Sequence, residues 1–354
     1  MQLAASQLEA FVTEIFVAAG AVENVARQTA GHLALANLKG HDSHGVVMAP
    51  SYVTNIKRGF LNPHAHMSVV KDSGGVVLID GGTGFGQVVG AESTAFAIDR
   101  ARDNGIACVG LRNAHHLGRI GTYGEMCADA GMVSVHFVNV VGHEPLVAPF
   151  GGAEARLQTN PFCTVVPRVN GPPIVLDMAT SFIAFGKVKV AYNAGKTIRN
   201  GALVDHEGVP TNDPNVMFTR PGGSVQPFGL YKGYGLALMC ELLGGALVGE
   251  WTMQPAHERT GTVINNMLML VLNPEAFGGT ERFQQEIDGM VDYLYATKPA
   301  KGVDKVRIPG EPERETFADR SVNGVPVDER SWQELAGAAK LAGLAEDAVA
   351  KYAA

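Results

Sequence analysis

Cysteine is scarce in this chain: four in 354 residues, with no C-x-x-C pair, so neither a disulfide framework nor a zinc knuckle can be read from it. Cys108, Cys127, Cys163 and Cys240 stand in apolar runs, which predicts buried, reduced thiols and a reducing compartment. Charge is sparse too. Only 18% of residues are charged and the net charge is −7, so no basic face offers itself to phosphates and no nucleic-acid partner is expected. Long apolar runs are missing: the stretch 236–248 is interrupted by Glu241 and too short for a bilayer, and the first residues carry Glu9 and Glu14 but no basic leader. These absences predict a cytoplasmic protein with no membrane association.

Glycine, by contrast, is plentiful. Its 43 residues imply many tight turns and close backbone approaches, and 46% hydrophobic residues suffice for a sizeable core in about two domains. Leu8, Phe11, Val12, Ile15, Phe16 and Ala19 follow the helical period, with Ser6 and Glu9 placed as a capping box and Gly20 as a stop. A second helix is expected over 22–38, and a third carries Tyr52, Val53 and Ile56 before Gly59. From Met67 onward the pattern changes to short β-branched runs. Strands are expected at 67–70, 76–79, 106–111, 132–138, 162–166, 174–176 and 262–272, with helices near 88–104, 123–130, 181–191, 231–248 and 277–295. That alternation predicts a large α/β body. Beyond Pro309-Gly310-Glu311 the chain turns helical again, and 332–341 is expected to return to the N-terminal helices.

One glycine-rich stretch imitates a dinucleotide fingerprint. Over 76–90 a strand, a Gly-rich turn and a helix follow one another, but the spacing fails. Counted from Gly82 the third glycine falls on Gln87, and counted from Gly84 it falls on Val89. The acidic residue wanted about twenty positions later is Asp99 or Asp103, both inside the helix instead of at a strand end. A tight strand-to-helix turn is the simpler reading.

Histidine is where the chain becomes specific. His115 and His116 follow the run 106–111 in Arg112-Asn113-Ala114-His115-His116-Leu117-Gly118-Arg119-Ile120-Gly121, and Ser43-His44-Gly45 lies between two expected helices. Most of the 11 histidines are ordinary surface or core residues on this reading. These two motifs differ because they place imidazole in glycine-flanked loops, where a substrate approaches closely and a group titrating near neutral pH gives or takes a proton. Lys232 stands in the first turn of an apolar helix, against the helix dipole; it either meets a bound phosphate or carboxylate or is a solvated surface charge. Asp177 closes the run 174–176, so it either meets a ligand at a strand end or caps the helix expected from Ser181. Asn265 and Asn266 interrupt an apolar strand, where an amide without partners is costly.

Taken together, these residues resemble the malate/L-lactate dehydrogenase-like family of NAD(P)-dependent oxidoreductases, which includes ureidoglycolate, sulfolactate and diketogulonate enzymes. The resemblance runs nearly end to end through Ser43-His44-Gly45, His115-His116-Leu117-Gly118, Thr159-Asn160-Pro161, Leu176-Asp177-Met178-Ala179-Thr180, Lys232-Gly233-Tyr234-Gly235-Leu236 and Pro309-Gly310-Glu311. Gly40-His41-Asp42-Ser43-His44-Gly45 and Asn265-Asn266-Met267 are most similar to the broad hydroxycarboxylate dehydrogenases. The resemblance implies an α/β (α+β) fold without the Rossmann unit. A large mixed, mostly antiparallel sheet domain (71–311) would bind the cofactor, beside a smaller helical domain (1–70) joined by the C-terminal helices of 312–354. It implies a homodimer, and NAD or NADP as cofactor. His44, Gly118, Arg119, Ile120, Asp177, Met178, Ala179, Thr180, Tyr231, Lys232, Asn266, Pro309, Gly310 and Glu311 would line the cofactor, with no metal. His116 would be the acid/base, His44 its catalytic companion, and Ser43 and His143 would face the substrate.

The implied reaction moves a hydride between nicotinamide and a 2-hydroxy or 2-oxo acid, with a protonated imidazole neutralising the charge that builds on the carbonyl oxygen. One departure bears on the substrate. Many members carry an arginine three residues after the Ser-His-Gly glycine to hold the substrate carboxylate; this chain has Met48. Arg119 is a possible replacement or a cofactor contact, and the loop 140–144 is longer than in many relatives. Two other readings stand beside the dehydrogenase: a metal-dependent lyase or hydrolase using His41, His44, His115, His116, His136 and His143, and a non-catalytic nucleotide-binding relative.

Overall fold

In the computed structural model, which describes residues 1–352, a short strand β1 (Gln2–Leu3) precedes helices α1 (Ala5–Ala18), α2 (Glu23–Leu38) and α3 (Ala49–Lys57). Next come β2 (Ser68–Ser73), β3 (Val76–Asp80), α4 (Gly86–Asn104), β4 (Ile106–His115), α5 (Gly121–Asp129), β5 (Val133–Val141), β6 (Phe162–Val166) and β7 (Ile174–Met178). After α6 (Phe185–Asn193), the small strands β8 (Leu203–Val204), β9 (Pro210–Thr211) and β10 (Ser224–Val225) form a sheet of their own. The chain closes with α7 (Tyr231–Glu241), β11 (Ile264–Leu272), α8 (Thr280–Tyr295), α9 (Glu311–Asn323), β12 (Val325–Pro326), α10 (Glu329–Ala342) and α11 (Glu346–Ala350).

The large sheet has seven strands in the order β2-β3-β4-β11-β5-β6-β7. Only β3 and β4 pair in parallel; the other five pairings are antiparallel. β11 lies at the centre, and Met267, Met269 and Val271 are fully buried there, as suits a strand covered on both faces. These directions put the ends of β4, β5 and β7 and the start of β11 on one edge of the sheet. Ligands of α/β sheets gather at such an edge.

Of three apolar clusters, the two larger ones position the site. One gathers Phe11, Phe16, Tyr52 and Phe85 with Val325, Trp332 and Leu335, so the C-terminal helix α10 does return to the N-terminal helices; Phe11 and Trp332 lie 5.3 Å apart. The other joins Val109, Leu111, Val138, Val165 and Met267 to Tyr123 of α5 and Ala97 of α4. Ala353 and Ala354, the end of the expected helical span 312–354, lie outside the described residues.

Several local expectations need correction. Helix α1 begins two residues early, with Ala4 as its N-cap and the Gln7 side chain accepting from the Ala4 N–H at 3.0 Å, so Ser6 and Glu9 form no capping box. Helix α7 ends at Glu241 and continues as a π turn over Leu242–Ala246, where a Cβ on Gly244 would crowd the Phe137 carbonyl. Ser181 caps no helix, because α6 starts at Phe185 behind Ala184. Cys108 is partly exposed, whereas Cys127, Cys163 and Cys240 are buried; all four are free thiols. His115 belongs to β4, not to a loop.

Candidate active site

His115 is the last residue of β4, pairs with Ile264 of β11 and is buried. Asn55 donates to its Nε2 at 3.0 Å, and its ring meets Tyr52 edge-on at 5.1 Å. Burial lowers its pKa to about 3. It is a neutral prop between α3 and the sheet.

His116 is held from below by two residues. Its Nδ1 lies 2.6 Å from the Tyr52 hydroxyl, and Gln87 Nε2 donates to that hydroxyl at 2.9 Å and to the His116 carbonyl at 3.1 Å. The carbonyl accepts only, which fixes the Gln87 amide as the donor. Tyr52 therefore spends its single proton on Nδ1, and the neutral His116 ring carries its proton on Nε2. Gly86 at the start of α4 makes this approach possible, since a Cβ there would overlap the His116 carbonyl oxygen.

His44 faces His116, the two rings 5.4 Å apart and near parallel. Ser43 Oγ lies 3.0 Å from His44 Nδ1. Among the described residues neither imidazole has a partner at Nε2. Burial, then His41, lowers the His44 pKa to about 4 against the opposing pull of Asp177. Burial, then His44, His115, His32 and His143, holds His116 well below its ordinary value. Both rings are neutral at pH 7.

The other expected residues fall into groups. Asp177 accepts from the Gly121 N–H at 2.7 Å in the first turn of α5, so it serves a helix start other than the one anticipated. Arg119 is 1% exposed along its side chain, and its two terminal nitrogens lie 2.8 and 3.1 Å from Glu125, a buried ion pair. Met48 packs against the N-terminal core. Asn266 accepts from the Asn113 N–H at 2.7 Å and donates to Asn139 at 2.9 Å, while Asn265 accepts from the Leu117 N–H at 2.8 Å. The two amides staple β11 to β4, to β5 and to the segment that leaves β4. Gly118, Ile120 and Thr180 are buried packing residues, and Met178 and Ala179 are half-buried beside them. Pro309 accepts from the Val175 N–H at 3.1 Å, and Glu311 accepts from the Ile308 N–H at 2.6 Å, which ties the Pro309-Gly310-Glu311 turn to β7. Tyr231 and Lys232 are exposed at the uncapped start of α7, behind Leu230 at φ +57°. His143 is half-buried just beyond β5.

Tyr52, Gln87 and Glu125 were not among the residues expected from sequence. Tyr52 lies on an apolar helical stripe and reads as core; Gln87 is the residue that breaks the glycine pattern. Among the described residues no group of three or more His, Cys, Asp or Glu is placed to hold a metal ion, and no helix is long and apolar enough to cross a membrane.

The family model for malate/L-lactate dehydrogenase matches residues 3–336. The chain belongs to the malate/L-lactate dehydrogenase family. It is an oxidoreductase of that family, 43% identical over 350 residues to hydroxycarboxylate dehydrogenase B of Escherichia coli K12, covering 98% of this chain and 96% of that one. It is 39% identical to the L-lactate dehydrogenase of Cupriavidus necator, covering 95% and 96%. The solved sulfolactate dehydrogenase of Methanocaldococcus jannaschii superposes with a TM-score of 0.87 at 34% identity, covering 100% of both chains.

Proposed function

We propose that this family member is an NAD(P)-dependent 2-hydroxyacid dehydrogenase, working as a 2-oxoacid reductase in the reverse direction, with His116 as its acid/base. The observation that carries the reading is the hydrogen-bond chain Gln87–Tyr52–His116, which ends in a free Nε2 beside His44 at the end of the sheet where β4, β5 and β7 finish. The relatives' names, which span lactate, malate and sulfolactate, support a small hydroxy acid as the substrate class.

The residues present fit a nicotinamide dinucleotide. Two buried polar atoms without a hydrogen bond, Thr122 Oγ1 and Arg119 Nε, the latter 3.7 Å from Asp177, belong to residues flanking the start of α5, where Asp177 accepts from Gly121. Exposed Lys232 at the α7 start adds a cation suited to phosphate; the N–H groups of Lys232, Gly233 and Tyr234 are taken by the carbonyls of Gly229, Phe228 and Leu230. His44, Asp177 to Thr180, Tyr231, Lys232 and Pro309 to Glu311 would hold the dinucleotide, with Gly118, Arg119, Ile120 and Asn266 shaping the floor. Five antiparallel pairings support binding without a Rossmann unit. The helical layer of 1–70 and 312–352 acts as the smaller domain over the 71–311 body. A homodimer completes the proposal, with exposed Leu230, Tyr231, Leu242 and Leu247 as apolar surface for it.

When bound, the cofactor supplies the hydride. His116 Nε2–H donates to the carbonyl oxygen of the 2-oxo acid and orients it. As negative charge builds on that oxygen, the Nε2 proton passes to it and the Tyr52 hydroxyl proton moves to Nδ1; burial raises the Tyr52 pKa and opposes the phenolate, and the Gln87 hydrogen bond offsets part of that cost. Tyr52 recovers its proton from water through His116 once the product leaves. Oxidation of the hydroxy acid runs these transfers backwards. This replaces the protonated imidazole expected from sequence with a neutral one. A panel of 2-oxo acids with NADH and NADPH, followed at the nicotinamide absorbance, tests the reading; no turnover of any pair would reject it.

A further inference from the structure

A carboxylate entering a half-buried cleft needs a cation, because an unpaired charge there is costly. Several cations on the segments that flank the His44–His116 pair already have partners. Arg119 and Lys39 share Glu125. Arg320 grips Asp42 through two bonds of 2.6 and 3.0 Å, and Arg112 holds Asp80 at 3.0 Å. Arg58 lies over the Phe60 ring and donates to the Thr260 carbonyl. Arg259 differs. Its Nη1 is 2.6 Å from Glu144, whose side chain is 76% exposed, and its Nη2 reaches only the Met253 carbonyl at 3.5 Å. An exposed carboxylate leaves such a pair for water at little cost.

The topology puts this pair at the same end of the sheet as the site. β4, β11 and β5 are neighbours, and Ile264 pairs with both His115 and Val141. His116, residues 259–262 and residues 142–144 therefore leave the same end of three adjacent strands. The last two segments run in close contact: Gly261 N–H donates to the Gly142 carbonyl at 2.9 Å, and a Cβ on Gly142, at φ +93°, would overlap the Thr262 carbonyl oxygen. Thr262 Oγ1 lies 3.3 Å from His115 Nε2. His143, beside Glu144, is near enough to weigh on the charge of His116.

We propose that Arg259 pairs the carboxylate of the 2-oxo acid, and that Glu144 holds the guanidinium in the free enzyme and gives it up when substrate arrives. The proposal rests on the 2-oxo acid reading above. Glu144 then acts as a built-in competitor that keeps Arg259 ordered and sets the affinity for the substrate carboxylate, while the guanidinium offers two parallel N–H bonds to its new partner.

Steady-state kinetics on the best 2-oxo acid of the panel, at saturating reduced cofactor, test it with Arg259→Ala, Arg259→Lys and Glu144→Gln. Arg259→Ala should raise KM about a hundredfold with the cofactor Kd unchanged, and Arg259→Lys should recover part of that. Glu144→Gln should lower KM several-fold and leave kcat alone, because the competitor is gone. An ion pair that merely braces the loop predicts instead that Arg259→Ala and Glu144→Gln both raise KM, which would overturn the assignment. A KM for Arg259→Ala within about twofold of the parent would do so as well. Wild-type protein that reduces no 2-oxo acid would remove the underlying reading, and this proposal with it; normal wild-type turnover with an indifferent Arg259 removes only the latter.

Discussion

Replacing Tyr52 by phenylalanine deletes one oxygen and two hydrogen bonds. The ring keeps its packing against Phe16 and His115, but His116 Nδ1 loses its 2.6 Å donor and Gln87 Nε2 keeps only the His116 carbonyl. Leaving such groups buried without partners costs roughly 1–3 kcal/mol of stability, which the fold should survive. The kinetic effect should be larger. Without Tyr52 the neutral imidazole has no proton to draw into Nδ1, so it cannot release the Nε2 proton without becoming an anion, and kcat for 2-oxo acid reduction should fall about a hundredfold. The pH profile carries the sharper signature. Wild-type kcat/KM should be flat from pH 8 down to the depressed His116 pKa, because the neutral ring is the working form. The variant needs an imidazolium, so its kcat/KM should climb as pH falls through 6. Stopped-flow reduction across pH 5–9, with the cofactor Kd measured by fluorescence titration, checks both arms. Equal flat profiles with a loss under threefold would refute the relay.

Other outcomes follow from the same contacts. Glu125→Ala strands the buried Arg119 guanidinium and should cost about 3 kcal/mol or more in urea unfolding, whereas Glu23→Ala, at an exposed pair, should cost under about 1 kcal/mol. Gly86→Ala forces a Cβ into the His116 carbonyl, so it should cut turnover well beyond its effect on Tm. Acid should destabilise the fold: His32, His44 and His115 titrate near 3 to 4 in the native state but near 6.5 when unfolded. Stability is full above about pH 6.5 and falls as pH drops below it, by about 1.4 kcal/mol per pH unit for each such histidine, which denaturant midpoints at pH 7 and pH 5 would reveal.

How much of this was legible in the sequence varies with the range of the interaction. The strands 162–166 and 262–272 and the returning helix near Trp332 announce themselves, because burial on a strand or helix face imposes a local period. Strand order does not, since pairing β11 between β4 and β5 joins residues far apart in the chain. The end of β4 was missed for a related reason: His115 is polar, and only its pairing with Ile264 keeps it in the sheet. In the site, glycine neighbours flag His44 and His116. Tyr52 hides within an apolar helical stripe, and Gln87 looks like a failed phosphate loop; each acquires meaning only when α3 and α4 bring it to His116. Asn265 and Asn266 show the converse, conspicuous amides whose partners prove to be the protein's own backbone and Asn139.

The central claim, that His116 delivers the proton while nicotinamide delivers the hydride, is tested most directly by single-turnover reduction of the preferred 2-oxo acid by the wild-type and His116→Ala proteins, each preloaded with reduced cofactor. The account predicts rapid loss of nicotinamide absorbance in the wild type and a rate at least about a hundredfold lower in the variant, with cofactor binding kept within a few-fold. A variant that consumes its cofactor at near the wild-type rate would contradict it.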